Sequence, residues 1–106
     1  MVVFRVEIHQ KAKQFLENLP DKIRNHTIGT LKGFRENPHP RDSELLTLPD
    51  EYQVYRIHIA RVLTVFYQVH DEEHLVRILK IMTLEQAQRR LLAPDGGAVK
   101  EATQTQ

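Results

Sequence analysis

Residues 52–82, YQVYRIHIARVLTVFYQVHDEEHLVRILKIM, constrain the fold more than any other stretch of the chain. They hold three consecutive runs of β-branched, aromatic and leucine residues, broken near Ala60–Arg61 and again at His70–Glu73. Short apolar runs bounded by polar or charged residues are strand signals. The His70–Glu73 break has ordinary hairpin length. The Ala60–Arg61 break carries no Gly, Asn or Pro, so the sequence assigns it no turn type. The stretch reads as a three-stranded antiparallel meander, with the rest of the chain arranged to cover one of its faces.

The residues before it supply that cover. Val2–Ile8 alternates, with Val2, Phe4, Val6 and Ile8 on one side and Val3, Arg5 and Glu7 on the other, which is a strand with one buried face. From Gln10 the period changes, and Ala12, Phe15, Leu16 and Leu19 take the spacing of an amphipathic helix. Pro20 ends this helix and opens the next, because its missing N–H costs nothing at a first helical position. Ile23, Thr27, Leu31 and Phe34 then share one stripe flanked by Ile28, until Asn37-Pro38 stops the helix. Pro38–Asp50 reads as a loop that Leu45, Leu46 and Leu48 fold back onto the body. After the meander, Thr83-Leu84-Glu85-Gln86 matches the capping box and starts a short helix running to about Leu92.

The fold class expected is therefore α+β: an N-terminal strand, a helical hairpin over Gln10–Asn37, the meander and a short C-terminal helix. Val2–Ile8 completes a four-stranded antiparallel sheet. Phe4, Val6, Phe15, Leu16, Leu31, Phe34, Ile57, Val65 and Tyr67 should be largely buried. Residues 1–93 form one domain, and residues 94–106, small and polar after Pro94-Asp95-Gly96-Gly97, read as a disordered tail.

Composition removes several classes of function. The absence of cysteine excludes disulfides, a thiol nucleophile and Cys-type zinc sites. No apolar run approaches the roughly 18–20 residues that span a bilayer, and Arg5 and Glu7 interrupt the N-terminal run too early for a signal peptide. A cytoplasmic protein without a membrane partner is expected. The net charge of +1 is not the strongly basic balance of an obvious nucleic-acid binder. Only local positive patches are open to it, drawn from Arg41, Arg56, Arg61, Arg77, Lys80, Arg89 and Arg90. The six histidines show no metal-ligand spacing, Asp71–Glu73 reads as a solvated turn cluster, and no Gly-rich phosphate loop is present. No metal and no cofactor are expected.

Alternation sorts the faces of the meander. Tyr55, Ile57 and Ile59 with Leu63, Val65, Tyr67 and Val69 form the apolar side, and Arg56, His58, Thr64, Phe66 and Gln68 point the other way. Phe66 on that polar face either covers the aliphatic stem of an arginine or offers a base-stacking platform. His58 shares a strand face with Arg56 and is either a solvated polar residue or a general acid or base. Arg89-Arg90 on the last helix reads equally as a solvated face or as a contact for phosphate or a partner's acids.

The order strand, helical hairpin, proline-bearing loop, meander and short helix resembles the RelE/ParE superfamily of type II toxins over roughly Val2–Leu92. Asn37-Pro38, the Leu-rich loop leading into Tyr55-Arg56-Ile57, and Val65-Phe66-Tyr67-Gln68-Val69-His70-Asp71-Glu72 carry the resemblance. RelE-like members bind the ribosomal A site and cut mRNA without a metal. The resemblance thus implies a translation-inhibiting toxin held by a small cognate antitoxin, with ribosome and mRNA as targets. By residue match it places Arg56 and His58 on two basic strand positions. Arg61 and Lys80 are the further catalytic candidates, compensating for Thr64, and Arg41, Phe66, Arg77, Arg89 and Arg90 are the candidate RNA-binding residues. The chain departs from the family at Thr64, where an arginine is usual, and at Met82-Thr83-Leu84, where the family has Gly and then Arg or Lys before a later tyrosine. Two alternatives follow from these departures and from the superfamily's breadth: a ParE-like poison of DNA gyrase, and a degenerate toxin that acts only as a protein-binding module.

Overall fold

The structure is a computed structural model that describes residues 2–49 and 52–91, with side chains through Gln88. The element order is β1 (Arg5–Ile8), α1 (Gln10–Glu17), α2 (Asp21–Gly33), β2 (Glu44–Thr47), β3 (Gln53–Ile59), β4 (Leu63–His70), β5 (Leu75–Thr83) and α3 (Leu84–Leu91). The strands form one sheet in the order β1-β5-β4-β3-β2. The fold is α+β, and the meander is β3-β4-β5, each neighbour antiparallel. The proposed tail at residues 94–106 lies outside the described residues.

The sheet has five strands because part of the expected Pro38–Asp50 loop is itself a strand. Glu44–Thr47 pairs antiparallel with β3, Glu44 opposite Arg56 and Thr47 opposite Gln53. This added strand inserts one more reversal of chain direction before the meander. With one reversal per connection the parity changes, and β1 runs parallel to β5 rather than antiparallel.

Both helices begin at polar or rigid residues. The His9 imidazole accepts from the Lys11 N–H at α1, and Pro20, with φ −55°, precedes Asp21 at α2. Regular helix stops at Gly33, short of the expected Asn37, and the chain continues in tighter turns such as Glu36 N–H to Gly33 C=O.

Ala12, Leu16, Leu31 and Phe34 from the helices meet Ile57, Ile59, Leu63, Val65, Tyr67, Val76, Ile78 and Ile81 from the sheet. Phe4, Val6 and Phe15, expected to be largely buried, are only half-buried and pack on the margin of this cluster. β1 is an edge strand, so no further strand covers its flank. Phe34 stacks on Tyr67 at 4.4 Å, Tyr67 on Tyr55 at 5.5 Å, and Tyr55 meets His39 at 4.9 Å. The Tyr67 hydroxyl donates to the Pro38 carbonyl at 3.0 Å. This aromatic ladder pins the connection after α2 to the sheet. No helix among the described residues is long and apolar enough to cross a membrane.

Candidate nucleic-acid interface

The register places four side chains in one row across the sheet face opposite α1 and α2. Glu44 pairs with Arg56, Arg56 with Phe66, and Phe66 with Lys80. Directly opposed side chains in adjacent strands lie about 5 Å apart at Cβ, so the row reads acid, cation, aromatic, cation. Lys80 reaches this face through a β-bulge. The register shifts between Phe66 and Tyr67, and Leu79 falls between the paired residues Ile78 and Lys80. The extra residue turns Lys80 to the same side as Phe66 and lets Ile81 rejoin the core.

Arg56 is held firmly in this row. Its Nη2 lies 2.9 Å from Glu44 Oε2, the side chain is only 15% exposed, and its Nε is buried without a partner. The guanidinium thus keeps an unused donor while Glu44 offsets part of its charge. Glu44 is the residue that sequence reasoning missed. It lay in the segment read as a loop, and only strand pairing brings it opposite Arg56.

A second row holds His58, Thr64 and Met82. His58 is exposed, yet its Nδ1 lies 2.9 Å from Thr64 Oγ1. Thr64 and Met82 are on the outward face by alternation but are 0% and 4% exposed. α3 packs on β4 and β5 and buries Ala87, which closes this end of the face. His58 also borders an open pocket of about 410 Å³, lined by His26, Thr30, Asn37 and Asp42.

The remaining expected site residues are more dispersed. Arg77 pairs with Gln68 across the sheet and lies 3.6 Å from Glu7 on β1. Arg61 is exposed at the tip of the β3–β4 turn. Arg41 is exposed in the turn before β2, outside the two rows. Arg89 and Arg90 fall within α3, with side chains outside the described residues. Among the described residues no group of three or more His, Asp or Glu side chains converges as a metal site. Tyr67, below the face, is altered by its surroundings: burial raises its pKa above the ordinary 10.0, partly offset by a hydrogen bond with Ser43.

Several solved structures share this architecture. A chain of the archaeal RelE–RelB complex from Pyrococcus horikoshii superposes with a TM-score of 0.68 at 24% identity, covering 77% of this chain and 96% of that one. A chain of the toxin–antitoxin complex RelBE2 from Mycobacterium tuberculosis gives 0.66 at 21% identity, over 78% and 93%. The isolated RelE toxin of E. coli gives 0.62 at 21%, over 86% and 100%. The chain has the RelE-like toxin fold. No protein-family model and no curated protein sequence matches it. At these identities the likeness speaks for the RelE-like backbone, and the side chains must be judged on their own chemistry.

Proposed function

We propose that this RelE-like chain is the toxin of a type II toxin–antitoxin module and inhibits translation by ribosome-dependent cleavage of mRNA in the cytoplasm. The observation that carries the reading is the row Arg56–Phe66–Lys80 beside the exposed His58. An aromatic between two cations suits a stacked base with phosphates on either side. In the cleavage, the ribose 2′-oxygen loses its proton and attacks phosphorus while the bond from phosphorus to the 5′-oxygen breaks and that oxygen gains a proton. Arg56 stabilises the added charge on the phosphoryl oxygens, and Lys80 and Arg61 supplement it.

The proposed partner is a small antitoxin, in keeping with the RelE–RelB and RelBE2 complexes to which the fold is similar. A groove of about 620 Å³ between β1 and the helices suits one of its segments. The groove's apolar lining includes Phe4, Val6, Leu16 and Leu31, and its charged residues are Arg5, Lys32 and Arg35 against one acid, Glu73, a balance that favours an acidic amphipathic peptide.

A degenerate toxin is the second reading, favoured by the Glu44–Arg56 ion pair and by the enclosure of Thr64. Mapping mRNA 5′ ends after induction of wild type and Arg56→Ala separates the two. Cleavage by wild type and at least about 10²-fold less by the variant are expected. Equal cleavage by both would remove Arg56 from the site, and none by wild type would leave the binding module as the better account. DNA damage with filamentation in place of arrested protein synthesis would instead indicate gyrase.

A further inference from the structure

We propose that Thr64 is a positioning residue for His58: its buried hydroxyl donates to Nδ1 and holds the neutral ring in the Nε2–H form, which presents that N–H to the RNA phosphodiester. The assignment of a phosphodiester rests on the RNA-cleaving reading above; the hydrogen bond does not.

The two residues are direct partners across β3 and β4, and Thr64 Oγ1 lies 2.9 Å from His58 Nδ1. A hydroxyl both donates and accepts, whereas a neutral imidazole has one nitrogen of each kind. The direction of the bond is therefore decided by what else each group can reach. Thr64 is 0% exposed, and among the described residues His58 Nδ1 is the only hydrogen-bond partner of its hydroxyl. If Nδ1 carried the hydrogen, the Thr64 proton would be left buried without an acceptor, an arrangement folded proteins avoid. With Thr64 donating, both groups are satisfied and the hydrogen of the ring resides on Nε2. His58 is exposed and lies two residues from Arg56 on β3, on the same side of the strand by alternation.

A donor fixed in place before reaction stabilises charge that develops on a phosphoryl oxygen without reorganising at that moment. His58 is thereby assigned the part of hydrogen-bond donor rather than of the base that takes the 2′-hydroxyl proton. The same geometry accounts for a small residue at position 64. A side chain enclosed between its neighbours cannot itself reach RNA, but it can orient the exposed ring beside it.

Two measurements on the full chain test this. In ¹⁵N spectra of the histidine rings, taken above the pH range of histidine titration, wild type and Thr64→Ser should show His58 wholly as Nε2–H. Thr64→Val, close in shape but without the hydroxyl, should show a mixture of tautomers. An Nδ1–H ring in wild type, or a spectrum that Thr64→Val leaves unchanged, overturns the proposal. In the ribosome-dependent cleavage assay, Thr64→Val should lose at least about 10-fold, Thr64→Ser should recover most of it, and His58→Ala combined with Thr64→Val should be no worse than His58→Ala alone. Full activity of Thr64→Val beside an inactive His58→Ala also overturns it. A wild type that binds Thr64 to His58 as described but cuts no mRNA would defeat the cleavage reading and the phosphodiester assignment, while the tautomer spectra still decide the orientation.

Discussion

Glu44 and Arg56 share an ion pair that a phosphate would have to enter or displace. Glu44 is 56% exposed at its side chain, so the pair is open to water on one side and contributes little to stability. Its larger effect is on the charge the face presents. Glu44→Gln should therefore leave the melting temperature nearly unchanged and move elution from a heparin column to higher salt; unchanged elution would mean that Arg56 stays covered in the variant. Tyr67 is the opposite case, a buried group whose hydroxyl holds the Pro38 carbonyl. Tyr67→Phe should lose about 1–3 kcal/mol in urea unfolding near neutral pH, because the buried Pro38 carbonyl is left without its donor. Because burial raises the folded-state pKa above 10.0, the contribution of this hydroxyl is complete below that value and is lost as pH rises through and beyond it. The wild type should thus weaken more steeply than Tyr67→Phe in strongly alkaline buffer, and parallel curves would refute the assignment. Alternation along the meander was enough to put Arg56, His58 and Phe66 on one face and Tyr67 in the core. It could not supply their partners, because Glu44 and Pro38 reach them only through pairing distant in sequence.

The β3–β4 turn shows a conflict between local preference and fold. Ala60 and Arg61 have φ of 55° and 57°, and the Val62 N–H closes the turn on the Ile59 carbonyl at 3.0 Å. Two successive left-handed residues are what a tight hairpin matched to sheet twist demands, and Asn-Gly is the pair that meets the demand cheaply. Here an alanine and an arginine do so at a cost of roughly 1–2 kcal/mol each. The Ala60→Asn, Arg61→Gly double variant should accordingly be more stable by about 1–3 kcal/mol in urea unfolding. A loss of stability would place the strain elsewhere. If Arg61 contributes to RNA cleavage, the same variant should be less toxic as well as more stable. This turn had no legible type in the sequence because its residues are poor formers of the conformation they adopt. β2 was hidden for a related reason: four residues between prolines, exposed on the outer edge, carry too short an alternation to read. The bulge at Leu79 was invisible too, since strict alternation would send Lys80 inward with Ile78. By contrast, α1, α2, β3 and β4 announced themselves, each with one continuous apolar face to bury, and β5 by its apolar run.

For the molecule as a whole, a net charge of +1 sets the limit on what it can do alone. Single-stranded RNA is bound through counterion release, and the logarithm of affinity falls with that of salt at a slope of about 0.7 for each phosphate neutralised. Among the described residues the face offers Arg56, Lys80 and Arg77 as cations, with Arg61 at the tip; Arg56 already meets the acid Glu44 and Arg77 the acid Glu7. Three or four phosphate contacts give a slope of about −2 to −3. That is too little to hold a flexible strand in a reactive geometry at physiological salt. The open sheet face also cannot exclude water, which would strengthen each of those contacts. A partner that fixes the RNA and closes over the face would therefore have to supply both effects, as the ribosomal A site would under the proposed function. Purified protein should bind a short single-stranded oligoribonucleotide weakly, with a salt slope in that range, and leave it uncut while cutting the same sequence on a programmed ribosome. A slope beyond about −5 would mean that cations outside this face bind the strand. Cleavage of the free oligonucleotide at the ribosomal rate would mean that the sheet face needs no help to organise the reaction.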